Sequence, residues 1–280
     1  MILFKQAGAL TEHLQRQKNT GKTVGFVPTM GALHEGHLSL IDQCTAGNDI
    51  TVCSIFINPT QFNNPEDFKH YPVTISMDIE HLVAAGCDIL FLPSTSEIYP
   101  TGYLKKHYDL GSIEHNLEGH YRPGHFQGVC EVVDRLLDII TPDNLYLGQK
   151  DFQQCMVIKK LLEITGRAVK VDLHICPTKR ESSGLAMSSR NLRLTGQEKE
   201  LAVSIYKELE NIKVNLPQTP LETLKKNAKE HLTRQGFLVD YVEIAKAGDL
   251  APSENASEAD VALVAATIGN VRLIDNLLLN

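Results

Sequence analysis

The chain has 280 residues and a formal net charge of −7. That length exceeds the common single-domain size and favours two domains, and the acidic balance excludes a surface that attracts nucleic acid as a whole. Nowhere does the sequence approach the ~18 consecutive apolar residues of a membrane span, and Met1 to Gln15 lack the basic lead and apolar run of a leader. A soluble cytoplasmic protein is expected, with small molecules rather than nucleic acid or membrane as partners.

In chain order, the first clear unit lies between Thr23 and Asp42. Thr23, Val24, Phe26 and Val27 read as a strand that breaks at Pro28, a turn follows through Gly31 and Gly36, and a helical pattern starts at His37 with Leu38, Ile41 and Cys44 on one face. Strand, glycine turn and helix bring free backbone N–H groups and the positive end of a helix dipole to one point, which suits phosphate. Gly31 and Gly36 have the spacing of a P-loop, but His37 and Leu38 stand where it needs Lys and Ser or Thr. A dinucleotide fingerprint needs an acid at the end of the next strand, and that strand, 50 to 58, runs into Asn58 and Pro59.

The run at 50 to 58 is nearly all apolar, the pattern of a strand covered on both faces in a parallel sheet. Ile75 to Gly86 reads as helix and Cys87 to Leu92 as strand, so an α/β domain with right-handed crossovers is expected. Thr95 to Gln127 has little periodicity and reads as a lid or binding loop. Val129, Val132, Val133, Leu136, Leu137 and Ile140 keep helical spacing, followed by a strand at Asn144 to Leu147, a helix from about Asp151 to Thr165 and a strand around Val169 to Ile175.

Beyond Pro177 the pattern changes. Thr195 with Glu198 forms one capping box, and Thr219, Pro220 and Glu222 suggest a second with proline at the first helical position. Strands follow at Val239 to Ala245, Val261 to Thr267 and Val271 to Ile274. The expected architecture is therefore α/β, a Rossmann-like parallel-sheet domain over residues 1–176, and a smaller α+β domain over 177–280. Between residues 179 and 193, Lys179, Arg180, Arg190 and Arg193 outweigh Glu181, a local cationic patch. Six cysteines lack C-x-x-C spacing and fall within apolar patterns, as core thiols do. His34 and His37 could share a metal on one turn, but no third ligand is evident, so no metal ligand is assigned.

His34, Glu35, Gly36 and His37 resemble the His-x-Gly-His signature of the nucleotidyltransferase superfamily. The wider stretch PTMGALHEGH at 28 to 37 resembles the pantothenate synthetase family, as do INPTQF at 57 to 62, RPGHF at 122 to 126, GQKDFQQ at 148 to 154, GLAMSSRN at 184 to 191 and RLIDN at 272 to 276. The resemblance covers nearly the whole chain. It implies an ATP-dependent ligase that activates pantoate as an acyl adenylate and passes it to β-alanine, with Mg²⁺ accompanying ATP, in a homodimer whose C-terminal domain closes over the active site.

By position, the resemblance assigns ATP to Met30, Gly31, Ala32, Leu33, His34, Glu35, Gly36 and His37, with His37 as proton donor and His34 beside the phosphates. It assigns Lys150 to phosphate chemistry together with Gly148, Gln149 and Asp151. Gln61 and Gln154 are implied to bind pantoate, Gln61 also β-alanine, while Lys179, Met187, Ser188, Ser189 and Arg190 complete the nucleotide site. The chain departs from the family pattern at Val73, where arginine is usual, at Ser183, where aspartate is usual, and at Lys179, where valine is common. A nucleotidyltransferase that stops at a nucleotidylated product and a non-catalytic nucleotide sensor are the alternatives to a ligase.

Overall fold

A computed structural model of the chain describes residues 1–62 and 68–280. Packing divides them into two units: Met1–Gly148 with Val157–Cys176, and Gln149–Met156 with Pro177–Asn280.

The first unit is built on a six-stranded sheet. Its strands are β1 (Ile2–Phe4), β2 (Val24–Thr29), β3 (Ile50–Ile55), β4 (Ile89–Phe91), β5 (Asn144–Gly148) and β6 (Asp172–Cys176). They lie in the order β1-β4-β3-β2-β5-β6 and every pair is parallel. All six residues of β3 are buried, as its unbroken apolar run requires of a central strand covered on both faces. Val27, Cys53, Leu90 and Tyr146 pack on one face with Leu40, Ile41 and Cys44 of α2 (Glu35–Gly47) and Leu82 of α3 (Ile75–Ala84). Alternate residues Phe26, Val52, Ile89 and Leu145 point the other way and are equally buried. In that unit α1 (Ala7–Lys18) packs on α4 (His125–Ile140), a helix buried over most of its length, which also meets the turn at Pro59–Gln61. The chain runs outward from β2 through β3 to β4 in one direction and through β5 to β6 in the other. The sheet therefore reverses between β2 and β5, where open α/β sheets bind ligands beyond the carboxyl ends of their strands.

Several boundaries differ from the sequence expectation. Strand β2 passes through Pro28 to Thr29 instead of breaking there. The carbonyls of Thr23 and Thr29 accept from Ile50 of β3 and from Phe56 just beyond it, while that of Val24 accepts from Asp143, so the even-numbered residues face β5, and pairing with β5 ends at Phe26. Pro28 thus lacks an N–H only where no acceptor is opposed to it. β1 and α1 were not legible at all. The 95–127 segment holds helical turns at Thr95–Ile98, Gly111–Glu114 and Glu118–Tyr121. It is tied to α4: Tyr108 and Lys106 bond the buried Asp134 at 2.8 and 2.7 Å, and Gln127 bonds both the amide and the carbonyl of Tyr108.

The helix α5 (Phe152–Ile164) starts in the second unit and ends in the first. In the second unit α6 (Gly196–Asn215) and α7 (Leu221–Arg234) cover an antiparallel sheet of β7 (Leu238–Ala245), β8 (Val261–Ile268) and β9 (Val271–Leu278), in that order. The box at α6 forms: the Thr195 side chain accepts from Glu198 N–H and the Glu198 side chain accepts from Thr195 N–H, an arrangement worth about 1 kcal/mol. The second box does not. Pro220 itself occupies the cap position and no side chain caps α7. All six cysteines are buried free thiols. No described helix is long and apolar enough to cross a membrane.

Candidate functional site

In the first unit the His-x-Gly-His segment joins β2 to α2, at the sheet's reversal point. His34 is the N-cap of α2, and its Nδ1 accepts from the Gly36 N–H at 3.1 Å. The His34 N–H in turn donates to Nδ1 of His37 at 3.3 Å, and the two ring centres lie 4.1 Å apart. A backbone amide can only donate, so both Nδ1 atoms act as acceptors and the proton of each neutral ring sits on Nε2. Two imidazoles are thereby fixed as Nε2–H donors at the positive end of a helix.

The bend before them is held from a distance. Asp78, 1% exposed, accepts from the Ala32 N–H at 3.0 Å, the Leu33 N–H at 2.8 Å and the Thr74 hydroxyl at 3.1 Å. Gly31 takes a φ of +84° and Ala32 one of +51°, and a methyl-bearing residue stays in that region only when its surroundings impose it. The Gly31 N–H goes to Thr29 Oγ1 at 3.2 Å, and those of His37 and Leu38 return to the His34 carbonyl. The expectation of free amides in this turn is therefore corrected: from Gly31 to Leu38 most are already used. Asp78 was missed, although a signal existed. It shares the stripe of Ile75, Ile79 and Leu82, and an acid on a buried helical face must have donors aimed at it.

Gln61 meets the same bend, its Nε2 lying 2.9 Å from the Met30 sulfur. Asn58, 1% exposed, holds the glutamine by giving Nδ2 to Gln61 Oε1 at 3.2 Å and to the Gly128 carbonyl at 3.0 Å, while its Oδ1 accepts from Tyr99 at 3.0 Å. His125 Nδ1 contacts the Gln61 carbonyl at 2.8 Å. Gly128 lies directly against this turn; a Cβ there would fall on the Thr60 carbonyl. Asn58 was another residue that sequence reading passed over, although an Asn-Pro pair at a strand end marks a side-chain-capped turn.

In the second unit Lys150, Ser188 and Arg190 line one cleft together with Tyr206, Arg272 and Asp275. Lys150 lies on the helical turn Gln149–Asp151, with its Nζ 3.7 Å from Asp151 Oδ1. Ser188 caps the turn Ser189–Arg193 by accepting from the Arg190 N–H at 3.3 Å. Two cations near this cleft are committed elsewhere: Arg272 to Asp240 at 2.7 Å, and Arg180 to both oxygens of Asp275 at 2.6 and 3.0 Å. Arg180 thus leaves the cationic patch read from sequence. Gln154 is half-buried on α5, and Lys179 is exposed with its carbonyl accepting from the Met187 N–H at 3.0 Å. Of the three departures from pattern, Val73 is exposed, and Ser183 accepts from the Leu185 N–H at 3.4 Å.

Residues 2–278 match the family model described as pantoate-beta-alanine ligase. A pantothenate synthetase of Cytophaga hutchinsonii is 45% identical across 100% of this chain and 99% of its own length, and one of Aquifex aeolicus is 41% identical across 98% of each. Among solved structures, the pantothenate synthetase of Thermus thermophilus superimposes with a TM-score of 0.93 at 35% identity, covering 100% of this chain and 99% of the other. The pantoate-beta-alanine ligase of Francisella tularensis, solved in complex with beta-gamma ATP and beta-alanine, has a TM-score of 0.81 at 39% identity, covering 99% and 97%.

Proposed function

The chain belongs to the pantoate-beta-alanine ligase family, and from that premise we propose which of its residues carry out the ATP-dependent condensation of pantoate with β-alanine. The reaction proceeds by way of an acyl adenylate. A carboxylate is a poor acceptor for an amine, because it is negatively charged and lacks a leaving group. When a pantoate carboxylate oxygen attacks the α-phosphorus of ATP, the bond to the β-phosphate bridging oxygen breaks, pyrophosphate leaves with that electron pair, and pantoyl adenylate remains. The β-alanine amine then attacks the activated carbonyl, AMP departs, and the amine loses a proton to give pantothenate.

In this reading Met30, Gly31, Ala32, Leu33, His34, Glu35, Gly36 and His37 surround ATP. His34 and His37 give their Nε2–H groups to phosphate oxygens as charge builds there, His37 being the proton donor. Fixed donors of this kind need no reorganisation during the step. Lys150 adds a mobile point charge, flanked by Gly148, Gln149 and Asp151. Ser188, Ser189 and Arg190 offer hydroxyls and a forked guanidinium to the triphosphate, with Met187 and Lys179 beside the nucleotide. Gln61 and Gln154 orient the pantoate carboxylate with neutral amides, which leave it more nucleophilic than an arginine pair would; Gln61 also serves β-alanine. The C-terminal unit's part is to bring Met187 to Arg190 onto the triphosphate.

Mg²⁺ enters as the partner of ATP, held by phosphate oxygens. Among the described residues no three His, Cys, Asp or Glu side chains are grouped to hold a metal, so the nucleotide is the source of its oxygen ligands in this proposal. We assign the chain a homodimeric state and a cytoplasmic place.

The observation that carries the reading is the pair of imidazoles locked as Nε2–H donors at the start of α2. Pantoate-dependent exchange of labelled pyrophosphate into ATP tests it. Exchange without β-alanine, lost on removing pantoate and strongly reduced in His37→Ala, is the expected result. Exchange that ignores pantoate, or a folded His37→Ala protein with normal exchange, would overturn it.

A further inference from the structure

The RLIDN motif at 272 to 276 has no part in the chemistry just described, yet its last two residues hold both functional segments of the second unit. Asn276, 2% exposed, gives Nδ2 to the carbonyls of Gln149 and Lys150, each at 2.9 Å, and its Oδ1 lies 3.3 Å from Gln149 Nε2. One carboxamide thereby fixes both peptide units of the turn that bears Lys150. Asp275, its neighbour in β9, is 6% exposed and takes the Arg180 guanidinium on both oxygens. Arg180 continues the chain of bonds to the carbonyls of Gly184 at 3.2 Å and Asn276 at 3.3 Å, and lies 3.8 Å from the centre of the Tyr206 ring. Adjacent residues of a strand face opposite sides, which lets a dipeptide reach two separate segments.

The chemistry at 276 is selective. Two carbonyl oxygens need donors, and the primary amide supplies both while its own oxygen accepts from Gln149. Aspartate has the same shape but, ionised, donates nothing and would set negative charge against two carbonyl dipoles. Glutamine would carry the amide one methylene too far.

We propose that Asn276 is the positioning residue for Lys150, setting the backbone from which the lysine reaches phosphate, and that Asp275, through Arg180, does the same for the segment leading to Ser188 and Arg190. The inference rests on the reading of Lys150 and Arg190 as phosphate contacts. A displacement of about 1 Å at such a group can cost roughly 10²-fold in rate.

The test uses full-length Asn276→Asp, Lys150→Ala and the double variant, each measured by pantoate-dependent pyrophosphate exchange and by thermal unfolding. Asn276→Asp should slow exchange by about 10- to 100-fold, with the loss in kcat and little change in KM for pantoate. The double variant should be no slower than Lys150→Ala, because a misplaced lysine cannot matter once the lysine is gone. Asn276→Ser, which keeps one donor, should recover part of the rate and carries the test if Asn276→Asp does not fold. Normal exchange in a folded Asn276 variant, or multiplicative losses in the double variant, would overturn the positioning role alone. Normal exchange in Lys150→Ala would remove the phosphate reading of Lys150, and the inference with it.

Discussion

The backbone N–H of His34 donates to Nδ1 of His37 across 3.3 Å, so the second histidine of the motif caps the residue that carries the first. In the proposed reaction, capping and chemistry use opposite nitrogens of the same ring. His37→Ala should lower adenylate formation by about 10²–10³-fold, measured in single turnover. It should also cost about as much stability as a lost cap, roughly 1 kcal/mol, read from the urea midpoint. A stability loss with no rate loss would leave His37 as a cap alone.

Asp78 offers a prediction in which a residue not assigned to substrate alters the site. Asp78→Ala leaves the Ala32 and Leu33 amides unpaired in a buried turn and should destabilise the protein by about 2–4 kcal/mol. The strained bend should relax and exchange activity should fall with it. Asp78→Asn can accept from one amide but meets the other with its own N–H₂, so it should recover only part of the stability. Full stability and activity in Asp78→Ala would show that the bend holds itself.

Asp134 should give the fold an acid-sensitive contribution. Burial, the largest single influence, pushes its carboxyl up, but hydrogen bonds from Lys106, Tyr108 and Arg167 outweigh burial and hold it below the ordinary aspartate range. A lowered carboxylate pKa stabilises the fold above the unfolded value of about 3.9, and that contribution is lost as pH falls through the folded value. The stability difference between wild type and Asp134→Asn, followed by urea unfolding, should therefore be constant near neutrality and shrink below about pH 4. A difference that persists unchanged into strong acid would contradict this.

The thiols should be silent in the native state. Desolvation raises Cys44 to about 12 and Cys87 and Cys176 to about 11, so thiolate is scarce at neutral pH and access is closed. A disulfide reagent at pH 8 should find almost no reactive thiol until denaturant is added, and then all six. Rapid native labelling would reveal local opening of the sheet's α2 side.

The central strands could be read from sequence because burial on both faces leaves an unbroken apolar run, as in β3, and α6 could be read because its cap is local. β1 escaped notice because it is three residues long and mostly exposed, and α1 because no side chain caps it. The same division applies to the site. The histidine motif and the lysine turn are contiguous in sequence, so their local geometry shows in the letters. Asp78 and Asn276 act on segments remote from themselves, and nothing in the local spacing of those segments calls for a distant carboxylate or amide. Pro28 in β2 and Pro220 at the start of α7 depart from local rules for a related reason, since what each proline lacks matters only where a neighbouring group needs it.

The close seat of Gly128 beneath the Thr60 carbonyl also bears on how natural variants of this enzyme should be compared. Any substitution there would have to lift the whole Pro59–Gln61 turn, and so shift a residue assigned to two substrates without altering its identity. A survey restricted to ligand-lining letters would score such a variant as unchanged, while its selectivity among hydroxy acids had drifted through the main chain.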